Sequence, residues 1–396
     1  MLIFTTQCTC HKNKFDKSDI ITYELNQGFL NEKDTYISDI ADSIYYLKLE
    51  TAPESYIVQI SKLFFVNSKV IVFDKTSEKV FVFENSGKYL YQIGKQGKGP
   101  GEYAHISFIS VDETNNHCYI IDGGKMQIHK FSLDGRFISS NENKIVINEI
   151  EHYKSGINVL FIAHKYFITS DSYNIVCTDS SMNVIKKSLP IFNRKSFDNT
   201  ESVGRFNLYS YNNQVYLWDE FRNDTIYRIN EALNFIPCYH LNYSLNKMPY
   251  EIRRTKQLRN DYIYMTKIND VFETKNFFFI LGRKDRHEQC IVLNKLSSES
   301  YHLKPLQIWE TRFLNNDGFI DNLDYGLPFW PLGYFTHDSN EYLFSYNDVS
   351  NIQQYLKSKE ESMIKDGENE NGGKLNNIIS ESKIDDNPIL TIIRLK

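Results

Sequence analysis

The sequence predicts an all-β fold: a six-bladed β-propeller of four-stranded blades, with a short helical excursion before the C-terminal strand. Three observations carry that expectation. The 396 residues include 27 Tyr and 27 Phe against 18 Gly and 9 Pro, a composition that suits pleated, half-buried strands. A pattern of four short strands returns about every 48 residues, the spacing of propeller blades. After a helical stretch the chain ends on NPILTIIRLK, a strand-like run placed where a ring needs its last strand.

Residues 1–19 read as a tether ahead of one propeller over residues 20–396. MLIFTTQCTCHKNK begins apolar, meets Cys8 and Cys10, then turns polar and basic. It reads as the end of a bacterial lipoprotein signal, with Cys10 the preferred lipidation site and Cys8 the alternative. Gln7 departs from the apolar residue usual three positions before the cysteine. No run of about 18 apolar residues follows, so no membrane-spanning helix is expected.

The repeat is clearest when VIVFDKTSEKVFVFENSGKYLYQIG, from Val70, is set above CYIIDGGKMQIHKFSLDGRFISS, from Cys118. Asp74 falls on Asp122 and Gly87 on Gly135. Each copy has an apolar strand ending at Asp, an alternating strand, a Gly turn and an aromatic-aliphatic strand. Fainter copies start at Tyr166, Val215 and Phe277, and one near Glu341 breaks off. In the Tyr166 copy Asn183 stands for the turn glycine, since Asn tolerates positive φ. A blade cannot bury both its faces alone, so the copies must stack round an axis and the ring must close.

The loop YQIGKQGKGPGEY (Tyr91 to Tyr103) joins the first two copies. Its glycines invite a phosphate-cradle reading, but Pro100-Gly101 stands where a P-loop needs Lys-Ser/Thr, and strand follows instead of a helix. It reads as the corner from an outermost strand to the next innermost one. Lys95, Lys98, Glu102 and Tyr103 are the ligand-contact candidates there, on the expectation that the corner approaches the channel mouth. Trp218, followed by Asp219, Glu220 and Arg222, is a candidate aromatic platform for a sugar or peptide, with Arg222 as its polar partner; a Trp packed between blades is the alternative.

Past Val349 the pattern turns helical. Ile352, Tyr355, Leu356 and Met363, then Leu375, Ile378 and Ile379, form an apolar stripe within an excursion over residues 350–386. Packing against the rim is its expected role. The final strand is expected beside SIYYLKLE (Ser43 to Glu50), so that the two chain ends seal the sixth blade.

These elements, SDIADSIYYLKLET, GKYLYQIGKQGKGPGEY, DTIYRI and NPILTIIRLK in that order, resemble the six-bladed propeller family of Bacteroidota envelope proteins, whose blades look like those of NHL-repeat proteins. The resemblance runs from Ser38 to Lys396, and its most specific element is Gly97 to Tyr103. It implies a location at the cell envelope, as an outer-membrane lipoprotein or a periplasmic or extracellular protein, and implies no particular chemistry.

Net charge is −5, which argues against nucleic acid as a partner. The cysteines at 118, 177, 238 and 290 lie singly in apolar runs and form no zinc pattern. Neither GxSxG nor HExxH occurs. The expected function is a non-catalytic, monomeric module binding a glycan, peptide or protein. The alternative is a metal-assisted lyase or hydrolase at the channel, drawing on His105, Glu102 and Asp122; a structural module of a larger envelope complex is a third reading. No catalytic residue, metal ligand or cofactor is assigned, although an axial calcium would suit some six-bladed propellers.

Overall fold

The structure is a computed structural model that describes residues 20–143, 147–154, 156–162, 173–190, 206–219, 224–245, 247, 265–284, 287–303, 318–366 and 373–396. Six sheets surround one axis, as the repeat requires. In blade 1 the chain runs from the innermost strand Ile60–Val66 outward through Lys69–Asp74 and Lys79–Glu84 to Tyr89–Gln92. Blade 2 repeats this from Ile106–Asp112 to Phe137–Glu142, and blade 3 from Ile147–Tyr153 to Val184–Pro190. Blades 4 and 5 begin at Phe206–Tyr211 and Lys267–Glu273.

Strand alternation explains where the core lies. Each blade points one set of side chains at the previous blade and the other at the next, so apolar residues collect in the seams. Ile71, Val82, Ile109 and Ile120 fill the seam between blades 1 and 2, while Val70, Val72, Phe81 and Leu390 fill that between blades 6 and 1. A bulge recurs near the start of the innermost strand, after Ile60, Ile106, Ile147 and Ile268. Such a bulge bends the strand and re-aims the side chain that follows; in blades 1 and 3 those side chains are Lys62 and Glu149.

The turn between third and fourth strands needs a positive φ, which Gly87 (86°) and Gly135 (87°) supply. In blade 3 the position falls on Met182 (64°), not on Asn183. Asn183 instead donates its backbone N–H to Asp179 Oδ1 at 2.8 Å, and that side-chain bond holds the turn one residue out of the expected phase.

Closure follows the expected plan. In blade 6 the innermost strand Gly333–His337 pairs with Asn340–Asn347, which pairs with the terminal Ile389–Leu395, whose outer neighbour comes from the other end of the chain, Ala41–Lys48. Leu390 pairs with Leu47 and Ile392 with Tyr45. Asn387 latches the join. Its Nδ2 donates to the carbonyls of Glu50 and Ser55, each at 2.8 Å. Its Oδ1 accepts Ile57 N–H at 2.8 Å.

Two short N-terminal strands were not legible beforehand. Strand β1 (Ile21–Glu24) adds parallel to the outermost strand of blade 4, Phe235–Asn242, and β2 (Glu32–Lys33) adds parallel to Ser300–Leu303 of blade 5. Between them Phe29 is fully buried, its ring 5.3 Å from that of Tyr243.

The helical excursion comprises helices Val349–Asp366 and Lys374–Ser380. Val349, Ile352, Leu375 and Ile379 pack on Leu327 and Ile389, so the apolar stripe covers the rim; the Met363 side chain lies outside the described residues. Asp324 caps the second helix from outside it, accepting the N–H of Lys374 (2.9 Å) and Leu375 (3.0 Å), donors that a helix start otherwise leaves unpaired.

Candidate functional site

The corner loop answers its own glycines. Glu102 turns its carboxylate back into the loop, where Oε2 accepts Gly99 N–H at 2.7 Å and Oε1 meets Lys95 Nζ at 3.2 Å. A Cβ on Gly97 would lie 2.2 Å from Glu102 Oε2. The site a phosphate would occupy is thus filled by the chain's own carboxylate, held below the usual carboxylate range by the Gly99 N–H and by Lys95. Lys95 and Lys98 are exposed.

Tyr103, expected at the channel mouth, is instead fully buried in the seam between blades 1 and 2, and its hydroxyl donates to Glu78 O at 2.8 Å. Burial pushes the phenol up to about 12. Two residues after the last loop glycine the chain has already begun its next strand, whose side chains alternate into the seam. Trp218 is corrected in the same way: it is fully buried in the seam of blades 4 and 5 and offers no open ring face. Arg222 lies outside the described residues, as do Cys8 and Cys10.

The acids of the enzymatic alternative are engaged elsewhere. Asp122, fully buried, accepts the N–H groups of Ala104 (2.8 Å), His105 (3.2 Å), Gly124 (2.8 Å) and Lys125 (3.0 Å). Asp74 does the same with Val58, Thr76 and Ser77. The recurring Asp therefore ties the turn of its blade to the incoming innermost strand. The His105 ring turns away to Glu78. No group of three or more His, Cys, Asp or Glu suited to a metal occurs among the described residues.

Sequence reasoning missed the axis. Lys62 of blade 1 reaches across to Glu149 of blade 3, Nζ to Oε1 at 3.0 Å, and lies 4.3 Å from the centre of the Phe108 ring of blade 2. The other oxygen of Glu149 accepts the backbone N–H of Leu208 in blade 4 at 3.0 Å. Two residues on, Glu151 accepts Ser210 Oγ–H at 2.7 Å. Three blades thus bring polar groups to one stretch of channel, and blade 2 adds the Phe108 ring. Enclosure by protein pushes the Glu151 carboxyl up to about 7; Ser210 and Lys62 oppose the shift, while Glu149 and Glu113 add to it. The only earlier signal was charge in otherwise strand-like runs, ISKLFF and INEIEHY, and a pair from blades 1 and 3 leaves no trace in sequence spacing.

A raised folded pKa means that the folded state holds a proton which the unfolded state releases, so Glu151 works against stability above pH 7 and not below pH 4.5. Glu151→Gln is expected to raise stability at pH 8 by about 1 kcal/mol, since channel water screens much of the full shift. Urea unfolding at pH 8 and pH 4.5 checks this; equal gains at both would remove Glu151's titration as the cause.

Two other buried polar groups sit in seams. His152 Nδ1 lies 2.9 Å from Asn158 Oδ1, and its Nε2 lies 2.8 Å from Ser110 Oγ. The order hydroxyl, imidazole, amide has a nucleophile's sequence of partners. Ser110, however, is buried and also lies 2.9 Å from Ile150 O, so the arrangement joins blades 2 and 3. Burial holds the imidazole below its ordinary value. In the next seam but one, fully buried Glu273 of blade 5 meets Lys295 Nζ at 2.7 Å and accepts the hydroxyls of Tyr209 and Tyr239 at 3.3 Å each.

A family model described as a domain of unknown function, DUF4934, matches residues 20–394. Among solved structures, a Bacteroides fragilis protein inferred to be exported superposes with a TM-score of 0.70 at 19% identity, over 95% of this chain and 99% of that one. A member of the DUF4221 family from Bacteroides vulgatus gives a TM-score of 0.52 at 12% identity, over 90% and 97%. At such identities the likeness establishes the shared fold and nothing further. None of the curated proteins compared matches the chain.

Proposed function

The chain belongs to the DUF4934 family, and on that premise we propose that it is a non-catalytic binding propeller of the cell envelope that holds a glycan, peptide or protein partner over one face of its ring. The observation that carries the reading is the channel set of Lys62, Glu149, Glu151 and Ser210, gathered from three blades around a fourth. A ring needs only apolar seams to close, so charged groups on the axis stand apart from what folding alone asks for. The envelope location is supported by the lipoprotein-like run before residue 20 and by the likeness to a protein inferred to be exported.

The test uses the purified chain on a glycan array and as bait for envelope extracts, beside hydrolase and lyase substrate panels. Saturable binding that weakens about tenfold or more in Lys62→Ala or Glu149→Gln, with no turnover, is expected. Turnover abolished by Glu149→Gln or Glu151→Gln would sink the non-catalytic reading.

A further inference from the structure

We propose that the outer edge of blade 3 is a docking site for an extended segment of a partner protein, which adds to strand Val184–Pro190 as a fifth, parallel strand and sets an acidic side chain against Lys187. The inference rests on the binding-propeller reading and names a second face and a partner chemistry for it.

The molecule itself shows that such an addition fits. Blades 4 and 5 each carry a fifth strand, parallel to the outermost one and supplied by a separate stretch of chain. On blade 4 the added strand alternates. Tyr23, opposite Leu241, is buried among Tyr239 and Phe278, with ring centres at 6.2 Å and 5.9 Å. Glu24, opposite Asn242, is gripped by its Nδ2 at 2.8 Å through both carboxylate oxygens. An apolar residue followed by an acid is therefore what this kind of edge accepts.

Blade 3 is the next blade round the ring from blade 4. Among the described residues nothing pairs with the outer edge of Val184–Pro190. Edge strands in folded proteins are ordinarily shielded by charge, bulges or cover, yet this one opens with Val184 and Ile185, 56% and 52% exposed. Lys187 follows on the same strand, exposed, with Nζ 5.8 Å from the Tyr173 ring centre. Blade 4 holds its carboxylate with Asn242, at the end of its outermost strand; blade 3 offers an ammonium, Lys187, midway along its own. Main-chain hydrogen bonds would supply affinity and the alternating side chains selectivity, as in other strand additions.

The probe is a fluorescein-labelled peptide of this chain's own residues 20–28, which carries Tyr23-Glu24. Added to the full chain, it is expected to give saturable anisotropy and slowed backbone hydrogen exchange within 184–190. Lys187→Glu and Ile185→Asp, both at exposed positions, should each weaken binding about tenfold with unfolding midpoints unchanged. A peptide with lysine in place of the glutamate should bind no better than a scrambled one. Protection at Phe137–Glu142 or on the channel strands, no saturation, or indifference to Lys187→Glu would each overturn the proposal. Channel binding lost in Lys62→Ala, together with no peptide binding at 184–190, would leave the proposed function standing while this site falls.

Discussion

Asn387→Ala is expected to lower the free energy of unfolding by roughly 3–5 kcal/mol, read as a shift of the urea midpoint at constant slope. The side chain is 1% exposed and serves three backbone groups at once: the carbonyls of Glu50 and Ser55 and the N–H of Ile57. Alanine removes that partner from all three; Glu50 O keeps the Ser55 hydroxyl at 2.9 Å, while Ser55 O and Ile57 N–H become buried orphans at about 1–3 kcal/mol each. The three groups belong to the N-terminal side of the closure and Asn387 to the C-terminal side, so the loss falls on ring sealing itself. Asn387→Asp separates the contributions, because it keeps the acceptor for Ile57 but turns a carboxylate toward two carbonyls. It should be no better than alanine at pH 8. A loss under about 1 kcal/mol in Asn387→Ala would show that strand pairing alone seals the ring.

Lys295→Ala is expected to cost a similar amount, about 3–5 kcal/mol, the usual consequence of leaving one member of a buried ion pair alone. Glu273 sits at 1% exposure, and burial already pushes its carboxyl above the ordinary value against the pull of Lys295, Tyr209 and Tyr239. Without the ammonium that carboxyl rises further. The sign then fixes the pH dependence: a raised carboxyl takes up a proton on folding, so the deficit is largest at alkaline pH and shrinks as pH falls toward the unfolded value near 4.3. Pairing Lys295→Met with Glu273→Gln should recover most of the loss, because two neutral groups of similar volume need no ion pair. Unfolding of the unmutated chain and the two variants at pH 5 and pH 8 checks both statements. A pH-independent deficit would mean that Lys295 matters through packing on the rings of Tyr211 and Phe278, which its Nζ approaches at 4.8 Å and 5.3 Å.

The ring was legible because its signals are local and repeated. Asp74 and Asp122, with Gly87 and Gly135, mark the same turns one blade apart, and the structure shows what each does. The closing strands were legible because Ile389–Leu395 and Ala41–Lys48 have strand patterns of their own. β1 and β2, at four and two residues, are too short to show a period. Their pairing is set by edges hundreds of residues away. The channel pair of Lys62 and Glu149 was hidden for the same reason. Tyr103 and Trp218 mislead in the opposite direction: beside loop residues they look available, but each stands at or next to a strand position that alternates into a seam.

The path of the N-terminal segment also decides how the protein bears load. A pull applied at Ile20 meets β1 first, then buried Phe29, then β2, and only after these the strand Ala41–Lys48 that completes blade 6. Each contact must yield before the next is strained. Tension from that end would therefore be spent on the outer lashings of blades 4 and 5, and the ring would stay shut until they had come away.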